Sequence, residues 1–200
     1  MYNLLGARDS VPASRRGAVF DDPKLWLFKR LDATDDVEGF HCGDDPWHRE
    51  VAEFLVDDAL EQQGYGYNNT YLVMYDGQLM GFVCLIATSF QFGRDETGLD
   101  AAPGVAEVGR DRIPCVLIGQ MGVCTPFQGQ GVGARIMEWI IGAVVDGAVG
   151  ARFLVLNVSR QNERARRAWK SYGFVRSEGL SGNTDLWMYY DLYGALAKAK

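Results

Sequence analysis

The chain has 200 residues, 48% of them hydrophobic, and carries 20 Lys and Arg against 26 Asp and Glu, a formal net charge of −6. That size and apolar share suffice for one globular core, and the acidic balance argues against nonspecific nucleic-acid binding. The longest apolar run, Leu79–Ala87, has the length of a strand, so no membrane-spanning helix is expected.

Cys42, Cys84, Cys115 and Cys124 form no CxxC pair, and the only histidines are His41 and His48. Buried thiols are expected rather than a disulfide or a metal centre, and no metal is assigned. Residues 1–22 are read as an irregular arm, and 23–200 as a single domain. The arm has its arginines after an apolar start, the reverse of a secretory signal, so the expected location is cytoplasmic.

In chain order, Leu25–Leu31 reads as a strand. In the segment from Pro46 to Gln63, Val51, Phe54, Leu55 and Ala59 recur at helical spacing. Two apolar runs meet at Asp76-Gly77, a dipeptide suited to the positive φ values of a tight hairpin. Residues 91–112 are polar and Gly-rich and read as a long connection. Pro114–Val123 is a strand, Gly131–Val145 a helix, Phe153–Val158 a strand, Asn162–Tyr172 a helix, and Phe174–Arg176 and Leu186–Leu192 two further strands. A hairpin followed by strand–helix–strand–helix–strands predicts an α/β protein with a mixed sheet flanked by helices.

The segment Gln128-Gly129-Gln130-Gly131-Val132-Gly133 places three glycines within five positions, between a strand and a helix. The first amides of a helix lack intrahelical acceptors and carry the positive end of its dipole. Glycines let an anion approach them, so the segment reads as a phosphate loop. A P-loop is excluded, because Val132-Gly133-Ala134-Arg135 follows where Gly-Lys-Ser/Thr is needed. A dinucleotide fingerprint would tolerate Ala134 as its last small residue but belongs after the first strand of a βαβ unit. A Gly-rich surface turn is the plain alternative. Likewise, the basic run Arg160–Lys170 reads either as a solvated helix face or as a local anion site.

The same residues resemble the [RQ]xxGx[GA] signature of the GCN5-related N-acetyltransferases, the GNAT superfamily. Met121-Gly122-Val123 holds the place of the strand before that signature. About 30 residues on, the stretch from Asn162 to Phe174 is similar to the family's NxxAxxxYxxxGF segment. The resemblance covers roughly residues 25–192. It implies a mostly antiparallel mixed sheet of six to seven strands, splayed at the cofactor site, and acetyl-CoA as cofactor. It also implies direct transfer of acetyl to an amine. The pyrophosphate is expected on Gln128, Gly129, Gln130, Gly131, Val132, Gly133 and Ala134. The pantetheine is expected along Met121, Gly122 and Val123, with a strand amide polarising the thioester carbonyl. Asn162, Ala165 and Trp169 are expected at the thiol end. The family's usual acid is the tyrosine at the position held here by Trp169. Tryptophan cannot serve as a general acid; Tyr172 is the candidate in its place, or else a packed aromatic beside Gly173, with Tyr189, Tyr190 or no acid at all as alternatives, since a CoA thiolate is a tolerable leaving group.

A narrower resemblance lies upstream. Phe40–Leu55 is similar to the FxCGxxxLxxFL segment of toxin-type GNATs, which acetylate the amino group of aminoacyl-tRNA, and Ile113–Gly133 also resembles that branch. Trp169, the acidic composition and the arm depart from it. The expected acceptor is therefore a primary amine of a small molecule or protein. Charged tRNA is the alternative and the only nucleic acid admitted as a partner, and a non-catalytic CoA-binding module is a third reading. No membrane partner is expected, and a homodimer is consistent with the family.

Overall fold

The computed structural model describes residues 20, 22–91, 112–148, 150–180, 182 and 184–194. The arm of residues 1–22 and the connection of 91–112 lie almost wholly outside them. The strands are β1 (Trp26–Arg30), β2 (Asn69–Tyr75), β3 (Gln78–Phe90), β4 (Ile113–Val123), β5 (Phe153–Ser159), β6 (Val175–Arg176) and β7 (Asp185–Asp191). They form one seven-stranded sheet in the order β1-β2-β3-β4-β5-β7-β6. The β1–β2, β2–β3, β5–β7 and β6–β7 pairings are antiparallel, and β4–β5 is parallel. Helices α1 (Pro46–Glu53), α2 (Ala59–Gly64), α3 (Val132–Val145) and α4 (Glu163–Ser171) flank it. The described residues fall into two compact units, one made of those up to Ile86 with Ile118–Ile140, the other of those between 87 and 117 with those from Ile141 onward.

In the first unit, Asp76 and Gly77 have φ of 48° and 76°, the paired positive values of a two-residue hairpin turn, with Tyr75 opposite Gln78. The helical stretch begins where the Asp45 carboxylate accepts the His48 amide at 3.1 Å and Pro46 opens the first turn. Phe54–Asp58 widens into a π-turn between α1 and α2. Across it Leu55 and Ala59 stay buried, and Phe54 stacks on Phe82 with centroids 6.3 Å apart. These residues join Leu31, Phe40, Cys42 and Leu72 in one core. On α3, Val132, Ile136, Met137 and Ile140 are fully buried, and Trp139 stacks flat on Phe28 at 4.6 Å.

In the second unit, Phe153, Leu154, Val155 and Leu156 of β5 are each at most 1% exposed. Burial on both faces replaces the alternation of a half-exposed strand, as in a central strand covered above and below the sheet. β5 pairs with β7 from Phe153↔Asp191 to Ser159↔Asp185. Its parallel register with β4 covers Cys115–Leu117 and Phe153–Val155, while β4 itself runs on to Val123.

Candidate active site

The glycine loop lies in the first unit, and side-chain amides hold its shape. After β4 a short 3-10 turn, Thr125–Phe127, leads to Gln128. The Gln128 Nε2 donates to the Cys42 carbonyl at 2.6 Å and to the Val123 carbonyl at 2.9 Å. The Gln130 Nε2 donates to the Pro126 carbonyl at 2.6 Å. Gly129 and Gly131 have φ of 77° and 89°, where a side chain is strained, and beside Gly129 a Cβ would meet nothing within 4 Å. The loop thus needs glycine for its path and leaves open space beside it.

Helix α3 starts directly after the loop. Arg135 N–H donates to the Gly131 carbonyl at 3.1 Å, so the amides of Val132, Gly133 and Ala134 stand ahead of the intrahelical ladder. The first turn holds no acidic side chain to satisfy or neutralise them. On β4, Gly122 is buried; a Cβ there would come within 2.9 Å of Phe40 Cζ and 3.0 Å of Val51 Cγ1. The direction a Cβ would take is therefore filled by the core, and Met121 and Val123, next along the pleat, face the other way.

The segment Phe40–Asp45 is fastened to this loop, a role that periodicity and motif spacing do not reveal. The Thr125 amide donates to the His41 carbonyl at 2.9 Å, and Cys42 supplies the acceptor for Gln128. The His41 ring lies between Thr125 Oγ1 and Asp44 Oδ1, at 3.0 Å from each. Gly43 has φ of 140°, and a Cβ on it would collide with the His48 ring. Burial pushes the thiols of Cys42 and Cys124 up to about 11, so both are held as neutral S–H groups. They donate to the carbonyls of His48 and Leu79.

The second unit carries Asn162, Ala165, Trp169 and Tyr172. Asn162 is the N-cap of α4, its Oδ1 accepting the Ala165 amide at 3.0 Å. The cap uses the acceptor half of the side-chain amide; the donor half, Nδ2, is the part suited to a ligand. At the other end, Gly173 (φ 95°) donates to the Lys170 carbonyl at 3.0 Å, and Phe174 donates to the Trp169 carbonyl at 3.1 Å. These two bonds form a Schellman motif, which is completed by an apolar contact between the residues at its ends. Trp169 and Phe174 make that contact, with ring centroids 5.3 Å apart. Phe174 in turn meets Tyr190 at 5.7 Å, and Tyr172 meets Trp169 edge-on at 5.9 Å. Trp169 thus has a packing role that any large aromatic can fill. Tyr189 packs on Phe153 in β7.

Acetyl-CoA fits these residues. The positive-φ glycines, the open space beside Gly129 and the acid-free start of a 14-residue helix are what a pyrophosphate requires. A family model described as the acetyltransferase (GNAT) family matches residues 44–174. The chain belongs to that family. This GNAT chain is an acyltransferase whose cofactor is acetyl-CoA.

It is 25% identical over 139 residues to the tRNA-acetylating toxin of Mycobacterium tuberculosis (strain ATCC 25618 / H37Rv), covering 68% of this chain and 78% of that protein. Among solved structures it is similar to AtaT complexed with acetyl-methionyl-tRNAfMet, with 21% identity, 88% of this chain and 99% of that one covered, and a TM-score of 0.63. It is also similar to AtaTR bound with acetyl-CoA, with 22% identity, the same coverage and a TM-score of 0.65. At that identity the structural likeness establishes the fold. Among the described residues no group of three or more His, Cys, Asp or Glu is placed to hold a metal, and no helix is long and apolar enough to cross a membrane.

Proposed function

We propose that this GNAT chain transfers acetyl from acetyl-CoA to the amino group of an aminoacyl-tRNA. The composition favoured a small-molecule or protein amine, and the relatives reverse that order. The observation that carries the reading is the likeness, over two thirds of the chain, to a protein named for acetylating tRNA. A second observation agrees with it. The segment similar to the toxin branch, Phe40–Leu55, hydrogen-bonds to the glycine loop through Cys42 and His41.

Acetyl-CoA supplies an acetyl group activated as a thioester. In this reading the amides of Gln128 to Ala134 hold its pyrophosphate, and the backbone of Met121 and Val123 pairs with the pantetheine. A β4 amide stabilises charge on the acyl oxygen. Asn162 Nδ2 and the backbone at Ala165 position the thiol end, and Trp169 lends it an apolar wall. Tyr172 Oη would give its proton to the departing sulfur, because the indole N–H of Trp169 is far too weak an acid, and the proton shed by the attacking amine would pass to water. Holding both reactants in place supplies much of the acceleration, since a thiolate leaves readily once the amine is aligned. Residues 23–200 act together as one acetyltransferase domain.

The test is transfer of label from radiolabelled acetyl-CoA to pooled aminoacyl-tRNA and, separately, to a panel of small amines. Label on tRNA is expected. Label confined to a small amine would replace the acceptor, and binding without any transfer would leave a CoA-binding module.

A further inference from the structure

The glycine loop is fastened at both ends to one aromatic corner. Phe20 and Asp22 are the described residues of the N-terminal arm. Asp22 caps the 3-10 turn Pro23–Leu25, its carboxylate accepting the Lys24 amide at 2.9 Å, and so leads the chain from Phe20 into β1. At the start of β1 the Trp26 indole N–H donates back to the Phe20 carbonyl at 3.2 Å. The Phe20 ring stands edge-on to Trp26, Tyr75 and Phe127, with centroid distances of 6.2, 5.0 and 5.9 Å. Trp26 also meets Tyr75 edge-on at 5.2 Å and stacks on Phe28 at 6.4 Å, so β1 and the end of β2 form the base of the corner.

Two of the contacts made by this corner bracket the loop. Phe127 is the residue before Gln128, and its own amide is bound to the Cys124 carbonyl at 2.9 Å. Arg135 is the fourth residue of α3, and its N–H donates to the Gly131 carbonyl at 3.1 Å. The Arg135 guanidinium lies 5.9 Å from the centre of the Trp26 ring, within the range of a cation–π contact, and pairs with Glu138 at 2.9 Å. Phe20 therefore grips the entry of the loop and Trp26 its exit. The two grips are tied to each other by a ring contact and a hydrogen bond. Edge-on ring contacts are directional, so the corner fixes an orientation as well as a distance.

A clamp of this kind answers a cost that glycines impose. Gly129 and Gly131 have no Cβ to restrict their backbone, so a ligand that uses the neighbouring amides must overcome the entropy of ordering them. Gln128 and Gln130 brace the interior of the loop on nearby carbonyls. They leave open how the turn before the loop is aimed relative to the helix after it. Referring Phe127 and Arg135 to one aromatic corner settles that. We infer that Phe20 and Trp26 preorganise the glycine loop for acetyl-CoA, as positioning residues that act through Phe127 and Arg135. This rests on the reading that the loop holds the pyrophosphate, and it gives the arm a part in cofactor binding.

The test measures acetyl-CoA affinity by calorimetry, and amide hydrogen exchange of the cofactor-free protein by mass spectrometry, on the full chain. Phe20→Ala should raise the acetyl-CoA Kd about tenfold. It should also speed exchange in peptides spanning 125–135, while peptides of β5 exchange as before. Phe20→Tyr keeps the ring and should restore both readouts. Trp26→Phe keeps a ring on Phe28 but loses the indole N–H, and should show the same pattern at smaller size. On a Phe127→Leu background, Phe20→Ala should add little further loss, because the two residues act through one contact. Should Phe20→Ala not fold, Phe20→Leu keeps apolar bulk without the edge-on contacts and serves the same comparison. Faster exchange throughout the sheet, with no excess at 125–135, would make Phe20 a packing residue of the fold and overturn the inference. So would an unchanged Kd in Phe20→Ala when Gly131→Glu abolishes binding. Affinity that survives Gly131→Glu would instead remove the loop from the cofactor site, and the clamp's part in binding with it.

Discussion

The glycine loop and helix α4 solve different problems with opposite use of side chains. In the loop, the side chains of Gln128 and Gln130 are spent on carbonyls of the protein, and the groups left for a ligand are backbone amides. In α4, the backbone is closed by the Asn162 cap and the Schellman motif, and the groups left exposed to variation are side chains. A site built from backbone tolerates few substitutions and shows itself as glycines. A helix closed at both ends by its own backbone can carry a packing residue at one position, as at Trp169, without disturbing its caps.

The contrast is most easily broken at Gly131. Gly131→Glu puts a side chain on a residue with φ of 89° and a carboxylate beside the α3 amides. Acetyl-CoA affinity should fall at least a hundredfold by calorimetry, with the fold intact by circular dichroism; undiminished affinity would remove the loop from the cofactor site. Next in size, Tyr172→Phe should lower kcat by about a hundredfold, the scale of a general acid, and leave acetyl-CoA affinity alone. An unaltered rate would take Tyr172 out of the chemistry and leave it as the aromatic neighbour of Trp169.

Trp169→Ala removes the apolar half of the Schellman motif and should cost about 2 kcal/mol of stability in a denaturant titration. Trp169→Tyr keeps a large ring against Phe174 and should cost less than half as much. Equal losses would show that the indole does more than pack. Gln128→Leu strips the donor from the Cys42 and Val123 carbonyls and should weaken acetyl-CoA binding about tenfold, close to the 1.4 kcal/mol that one or two hydrogen bonds supply.

The smallest effect concerns the thiols behind the loop. With Cys42 and Cys124 pushed up to about 11, the reactive thiolate is scarce below pH 9 and increases as pH rises through that value. Iodoacetamide at pH 8 should leave both unmodified by mass spectrometry, and the same treatment in denaturant should label them. Ready labelling of the native protein would mean that the Phe40–Asp45 segment opens.

The order of elements was legible because each is a periodic run closed by a residue with a local mechanism. Asp76-Gly77 adopts the positive φ values its residue types permit, and Asn162 caps the helix it precedes. The glycine loop was legible for the same reason, because positive φ at Gly129 and Gly131 is a local requirement. Three things were settled only by long-range contacts. The π-turn at Phe54–Asp58 lets Phe54 reach Phe82 while Leu55 stays buried, a demand set by a strand nearly 30 positions away. The bond from Gln128 to Cys42 joins residues 86 apart, and no spacing rule predicts it. The role of Trp169 depends on its partner, Phe174, and on the motif that brings their rings together. Sequence determined what the backbone must do locally; the tertiary structure decided which side chains hold it there, because their partners are chosen by packing between distant segments.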